Sequence, residues 1–419
     1  MAVIKSIHAR EILDSRGIPT VEALITADTG EQAVASVPSG TSTGTSEAKE
    51  LRDEDPTRYG GKGVLKAVEN VNTILAKAVI GQDPTKQTAI DQILINLDGT
   101  VDKNKFGANA ILSVSQAVCE LGAAVSGNPI YSYLALKYRG NMAGIRVPTS
   151  IFNIINGGKH GAGNLDFQEF HLIPVTNKSY SDSLQTGEEI YQKLGEVLTY
   201  RGAIHSVGVE GGYAPNLFTN SDALELIVEA TMQAGYQPAR DVFYGLDVAA
   251  TTFCRSGMYT IKDRSGSMSG REIIEYYKEL NSKFHLLLLE DPLSEDDFEG
   301  WSRLTREMGS ESVIVGDDLL TTNKDRVKKA IEMKSATAIL VKPNQIGTIS
   351  ETVEVIQIAK AAGWKVIVSH RSGETDDDFI ADFAVGVGAD YTKFGAPARG
   401  ERVAKYNRLL QIEEELKGS

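Results

Sequence analysis

FHLLLLEDP at 284–292, SVIVGDD at 312–318 and TAILVKP at 337–343 are three successive short apolar runs, each closed by an ionisable residue. The same pattern extends outward in both directions. IHSVGVE (204–210) and VFYGLDV (242–248) precede these runs, and WKVIVSHR (364–371) and ADYTKFG (389–395) follow them. Helical periodicity lies between them at 222–235, 270–281, 324–333 and 350–362. Strand-sized apolar runs alternating with helices predict parallel strands joined by crossover helices. A closed barrel and an open doubly wound sheet both satisfy that alternation. The run ends favour the barrel: Glu210, Asp247, Glu290, Asp317, Lys342, His370-Arg371 and Lys393. An open sheet gathers its functional groups at one switch point, whereas a barrel presents every strand end at a common mouth. The expected fold is therefore α/β, a (β/α)8-type barrel.

The barrel pattern begins near residue 145. Before it, 3–12, 19–27 and 31–36 read as three short strands, with Asp28-Thr29-Gly30-Glu31 as the turn of a hairpin. A loop of small residues without an apolar anchor follows at 37–46 and is expected to be mobile. Helices are expected at 64–79, 86–97 and 108–126, the last stopped by Gly127-Asn128-Pro129. The expected domains are 1–140, a smaller α+β cap, and 141–419, the barrel.

Bulk properties narrow the function classes. A chain of 419 residues exceeds one ordinary compact domain, and 42% hydrophobic with 24% charged residues is a globular composition. The net charge of −13 repels phosphate backbones and anionic membranes, which argues against nucleic acid or membrane partners. A site for an anionic substrate must then concentrate its own cations. Cys119 and Cys254 lack metal-ligand spacing and are expected as reduced thiols. The charged N-terminal stretch does not read as a signal peptide, and no apolar run reads as a membrane span, so a cytoplasmic location is expected.

Asp247, Glu290 and Asp317 close three successive predicted strands. Neighbouring strands lie roughly 5 Å apart, so three carboxylates there need a cation or must stay partly protonated. Hard oxygen ligands without His or Cys favour Mg²⁺. Taken singly, each acid could instead cap a helix or close a loop salt bridge. Lys342, directly after an apolar run and facing other cations, is expected to have a lowered pKa. Bringing a lysine near neutrality takes roughly 4 kcal/mol, within reach of a buried group beside Lys393 and metal, and a neutral amine is a base. A plain anion-binding charge is the alternative. Arg371-Ser372-Gly373 offers a fork of donors and backbone amides for phosphate or carboxylate; a salt bridge from Arg371 to Glu374 is the simpler reading. No nucleotide-binding glycine motif is present. With Glu210 as a spare acid, the set suits proton abstraction beside a carboxylate followed by loss of a leaving group.

Over nearly its whole length the chain resembles the enolase family. The matching stretches are DSRGIPTVE (14–22), SVPSGTSTG (36–44), NGGKH (156–160), QEF (168–170), EGG (210–212), LDVAA (246–250), EDP (290–292), VGDDL (315–319), VKPNQIGT (341–348), SHRSGET (369–375) and GAPARGERVAKYN (395–407). A lysine or histidine base with one or two Mg²⁺ ions is that superfamily's known pattern. The resemblance implies that Lys342 takes the C2 proton of 2-phosphoglycerate, and that Glu210 assists departure of the C3 hydroxyl with Glu169 beside it. Asp247, Glu290 and Asp317 would hold one Mg²⁺. Ser42 would help hold a second together with the substrate phosphate. Arg371 and Ser372 would grip the phosphate, Lys393 the carboxylate end, and His160, Gln168 and His370 would line the pocket. It further implies a barrel whose second strand is antiparallel, and a homodimer, in some members built up into octamers. Three positions depart from the family pattern: Val209 stands where an Asp is usual, Ser46 where a His is usual, and Gly400 where a Ser is usual. The changes at 209 and 46 motivate two alternatives: a homologue recruited to a phosphonate substrate, in the manner of a carboxyphosphonoenolpyruvate synthase, and a non-catalytic scaffold. A sugar-acid dehydratase or racemase fits less well, since those substrates carry no phosphate for Ser42 and Arg371 to hold.

Overall fold

In the computed structural model, residues 2–41, 44, 46–161, 163 and 165–418 are described. The N-terminal part opens with β1 (Ile4–Leu13), β2 (Pro19–Ala27) and β3 (Gln32–Ser36), an antiparallel meander close to the expected spans. The Ala27 amide donates to the Glu31 carbonyl across the hairpin, and Gly30 supplies the positive φ of the turn. Helices α1 (Leu65–Asn70) and α2 (Ala76–Val79) run together through a π turn at Val71–Leu75. α3 (Gln87–Asp98), α4 (Ala108–Val125) and α5 (Ile130–Arg139) follow. α5 was not expected; Pro129, read as a stop, also starts the next helix. By length and hydropathy α4 could cross a membrane, a possibility the sequence reading had set aside. However, 83% of it is buried inside the protein, packed on β2 and β3, so it is a core helix.

The rest is a closed eight-stranded barrel, as the strand-end charges implied. Its strands are β4 (Thr149–Asn156), β5 (Glu169–Pro174), β6 (Val242–Asp247), β10 (Leu286–Glu290), β11 (Val313–Gly316), β12 (Ala338–Val341), β13 (Lys365–Ser369) and β14 (Tyr391–Lys393). Between β6 and β10 a small antiparallel sheet intervenes: β7 (Cys254–Arg255), β8 (Met258–Tyr259) and β9 (Met268–Ser269). The barrel interior is filled by Ile151, Ile173, Leu288, Val315, Ala338, Leu340 and Ile367. Helices cover the outside: α6 (Tyr180–Tyr200), α7 (Asn220–Gln233), α8 (Gly270–Phe284), α9 (Phe298–Met308), α10 (Lys324–Met333), α11 (Pro343–Ile346), α12 (Ile349–Ala361), α13 (Phe379–Gly386) and α14 (Gly400–Lys417).

One strand expectation fails. Residues 204–210 form no strand: Ile204 and Val207 are about half exposed, and Gly208, Gly211 and Gly212 turn the chain back on itself. The barrel instead begins with β4 and β5, both buried along nearly their full length. β5 pairs antiparallel with β4 and with β6, as the resemblance implied.

The N-terminal part sits on the barrel mouth. Ser39 and Gly373 exchange backbone hydrogen bonds at 2.8 and 2.9 Å, and the Ser15 amide donates to the Glu374 carbonyl at 2.7 Å. Of the loop at 37–46, residues 42, 43 and 45 lie outside the described residues, so the expected mobility is not addressed.

Candidate active site

The mouth collects side chains from almost every strand. Parallel strands deliver their last residues there: Asp247 and Glu290 as register partners, Asp317 and Lys342 just beyond β11 and β12, His370 just beyond β13, and Lys393 at the end of β14. β5 runs the other way and so delivers its first residue, Glu169, paired in register with Asp247. Around the ring β12 and β5 are four strands apart, so Lys342 and Glu169 stand on opposite walls. A single cavity is lined by both of them and by His160, Gln168, Glu210, Asp247, Asp317, His370, Arg371, Ser372 and Lys393.

On the carboxylate side, the buried Lys393 ammonium lies 2.8 Å from Glu290, 3.0 Å from Glu169 and 3.2 Å from Asp247. Burial works against its charge, yet those three acids hold its pKa well above the ordinary lysine value. The Gln168 amide donates to Asp247 at 3.2 Å. Burial raises the pKa of Glu290 strongly, and repulsion from Asp247 and Asp317 adds to the effect despite Lys393. This pocket therefore has more acid than its lysines neutralise.

Asp317 points to another subset. Its carboxylate accepts from Lys342 Nζ at 2.5 Å and from the Gln345 amide at 2.9 Å. It also gathers with Asp291 and Asp318 into a group tight enough to hold a metal ion. Asp291 uses both carboxylate oxygens to accept the amides of Asp317 and Asp318, at 3.0 and 2.7 Å, and so braces that turn. Burial and repulsion from Asp317 push Asp318 up to about 7. The predicted ligands Asp247, Glu290 and Asp317 thus share the mouth and repel one another, but no tight three-way cluster forms. Lys393 stands between Asp247 and Glu290, and Lys342 stands on Asp317. All-oxygen donors with an excess of buried negative charge fit a hard divalent cation. Ser42, the expected second-ion ligand, lies outside the described residues.

The expected lowering of the Lys342 pKa is corrected by the structure. Burial, Arg371 and Lys393 do push it down, as reasoned, but contact with Asp317 outweighs them and the net direction is upward. The strand spacing located Asp317 nearby without showing that the two side chains meet.

At the opposite wall, Glu210 is held in its glycine turn by the Asn153 amide at 2.9 Å. His160 Nδ1 lies 3.1 Å from Glu169 and 3.4 Å from Glu210, and His370 Nε2 lies 3.4 Å from Glu210. His171 contacts Glu169 at 2.9 Å. Burial opposes the charge on both acids, but Lys393 and the histidines hold Glu169 well below the usual carboxylate range, and His160 and His370 hold Glu210 below it. His160 is raised despite burial, chiefly by Glu210. Glu210 and Glu169 thus both favour the charged form of the His160 ring.

The anion-binding end joins the two parts of the chain. Arg371 pairs with Glu47 at 2.8 Å and donates to Asn344 at 3.0 Å. Glu374, its expected partner, meets Arg371 only through that residue's backbone amide and pairs with Lys405 instead. Ser372 Oγ is 2.7 Å from Thr41 Oγ1 and 3.4 Å from Arg16 Nη1. A Cβ at Gly40 would fall 2.1 Å from the Arg371 guanidinium, so a larger residue there would displace that side chain from its present contacts. At the departures from the family pattern, the Val209 carbonyl accepts from Arg402 and the Ser46 hydroxyl from Arg326.

Sequence reasoning assigned no role to Arg16, Glu47, Asp291, Asp318, His171 or Arg402. Arg16, Asp291, Asp318 and Arg402 lie inside matching stretches, DSRGIPTVE, EDP, VGDDL and GAPARGERVAKYN, which was the available signal.

Fold and site together define a barrel enzyme with acid–base groups on facing walls, an anion grip at one end and carboxylates suited to a cation at the other. Residues 4–134 match the family model "Enolase, N-terminal domain" and residues 144–419 match "Enolase, C-terminal TIM barrel domain". "Enolase 1" of Methylococcus capsulatus is 47% identical over 416 residues, covering 99% of this chain and 98% of the relative. The chain belongs to the enolase family, which implies a metal cofactor and a small-molecule substrate.

Proposed function

We propose that the protein is a phosphopyruvate hydratase, a hydro-lyase that interconverts 2-phospho-D-glycerate and phosphoenolpyruvate in glycolysis and gluconeogenesis. The observation that carries this reading is the placement of Lys342 and the Glu210–Glu169 pair on facing walls of one cavity, with Arg371 and Ser372 between the domains to orient a phosphate.

Lys342 takes the proton from C2. In the present arrangement Asp317 keeps it protonated, so the base role requires that contact to give way; Arg371 and Lys393 then favour the neutral amine. Lys393 holds the substrate carboxylate. Two Mg²⁺ ions, one held by Asp247, Glu290 and Asp317 and the other by Ser42 with the substrate phosphate, would supply positive charge to the carboxylate as it gains electron density. On the far wall the C3 hydroxyl leaves as water. Its proton comes through Glu210, which is ionised here and adjoins His160, whose pKa is raised chiefly by that same acid. His370 Nε2 faces Glu210 at 3.4 Å, and Gln168 steadies Asp247.

The reading carries with it a functional division at 1–140 and 141–419, a cytoplasmic location, and a homodimer or an octamer built from four such dimers, which sedimentation distinguishes. Purified protein given 2-phosphoglycerate and Mg²⁺ should raise ultraviolet absorbance as the enol double bond forms, and a chelator should abolish the rise. A flat trace with metal present overturns the assignment and points to a recruited homologue.

A further inference from the structure

Arg402, in the first turn of α14, is completely buried although charged. Its Nη1 lies 2.5 Å from His370 Nδ1 and donates to the Arg371 carbonyl at 2.7 Å. Its Nη2 donates to the Ser372 carbonyl at 2.8 Å and to the Val209 carbonyl at 3.2 Å. One planar fork thus touches the backbone of the phosphate grip, the residue before Glu210, and the histidine facing Glu210. We propose that Arg402 is a positioning residue that fixes His370 as the Nε2–H tautomer aimed at Glu210 and ties the phosphate-binding turn to the loop carrying that acid.

Donor chemistry requires the tautomer. A guanidinium only donates, so His370 Nδ1 must accept, and the neutral ring carries its proton on Nε2, 3.4 Å from Glu210 Oε2. The charged groups facing His370 are Glu210, Glu169, Glu374 and Arg402. Burial first, and Arg402 as the cation, keep the ring neutral against Glu210. The surrounding chain is shaped to this contact: a Cβ at Gly395 would lie 3.0 Å from Arg402 Cδ and 3.2 Å from His370 Cε1. Only main-chain oxygen is taken at position 209, so Val209 serves this bond as well as another residue would.

The proposal rests on the enolase reading for its kinetic arm alone. The spectroscopic arm needs no turnover, so failure of one can be told from failure of the other. With six histidines in the chain, nitrogen-15 histidine labelling of the Mg²⁺-loaded protein resolves each ring. His370 should show Nε2 protonated and Nδ1 bare at neutral pH, and Arg402→Met should raise the pH at which it takes its second proton. Arg402→Lys, which keeps the charge and loses the fork, should lower kcat about 10²-fold and mix the His370 tautomers. An Nδ1-protonated His370 in the wild-type protein overturns the proposal. So does an Arg402→Lys protein with native circular dichroism, wild-type kcat and an unchanged pH profile, which would leave the arginine a purely structural role. If both variants misfold, the wild-type tautomer still decides.

Discussion

Lys342 stands at the end of β12, where the apolar run placed it, yet Asp317 on the neighbouring strand decides its charge. Position along a strand is periodic and can be read from the chain. The distance between two side-chain tips depends on rotamers and on every neighbour, and here 2.5 Å reverses the expected direction of the pKa. Glu210 behaves likewise: it is in the site, but through a glycine turn rather than a strand end. Replacing Lys342 with Ala should lower turnover by at least about 10²–10⁴-fold, the usual worth of a general base. Circular dichroism and Mg²⁺ binding by calorimetry should stay near wild type, and undiminished turnover would remove Lys342 from the mechanism.

At the scale of elements, the expected helices α3, α4, α7, α8, α10 and α12 all form. α6, which was not among them, carries glycines at two closely packed positions, Gly187 and Gly195. A Cβ at Gly187 would meet the Phe152 ring at 2.4 Å, and one at Gly195 the Tyr213 hydroxyl at 2.4 Å. Those glycines serve close packing on the barrel, at a local cost in helix propensity. The termini of other helices rest on side-chain caps. Thr219 and Asp222 form a reciprocal capping box at α7, so Thr219→Ala should lower unfolding free energy by about 1 kcal/mol in urea titration. Asp377 ties β3 to α13 by accepting from the Ser36 amide at 2.7 Å and the Phe379 amide at 2.9 Å. Burial pushes its pKa from 3.8 up to about 6. Its contribution is therefore complete below the lower value and is lost as pH rises through the upper one. Asp377→Asn should accordingly compare more favourably with wild type at about pH 7 than at about pH 4.5. Equal differences at both pH values would show that Asp377 does not titrate in that window.

At the scale of the whole molecule, the anion grip exists only because two parts of the chain meet. Glu47 and Thr41 come from the N-terminal part and Arg371 and Ser372 from the barrel, and the Ser39–Gly373 bridge sets their spacing. A Cβ on Gly373 would lie 2.2 Å from both Arg16 Nη2 and Asp14 Oδ2. Gly373→Ala should therefore push the cap off the mouth and raise KM for the phosphorylated substrate by about tenfold or more, one lost contact of about 1.4 kcal/mol, with the barrel's circular dichroism unchanged. A wild-type KM would mean that the cap does not order the grip. The net charge of −13 makes this local cation cluster necessary, since long-range attraction is absent.

By itself the sequence determined the barrel, the three-stranded cap and many of the mouth residues, though not Asp291 or Asp318. Strand and helix periods and the charges ending each run are local properties, repeated often enough to survive single misreadings such as 204–210. Only the tertiary structure decided which acid pairs with which lysine, that Arg371 meets Glu47 rather than Glu374, and that His370 answers to Arg402. Those contacts join residues tens to hundreds of positions apart, and a buried charge takes its protonation state from whatever lies within a few ångströms, which no stretch of chain records.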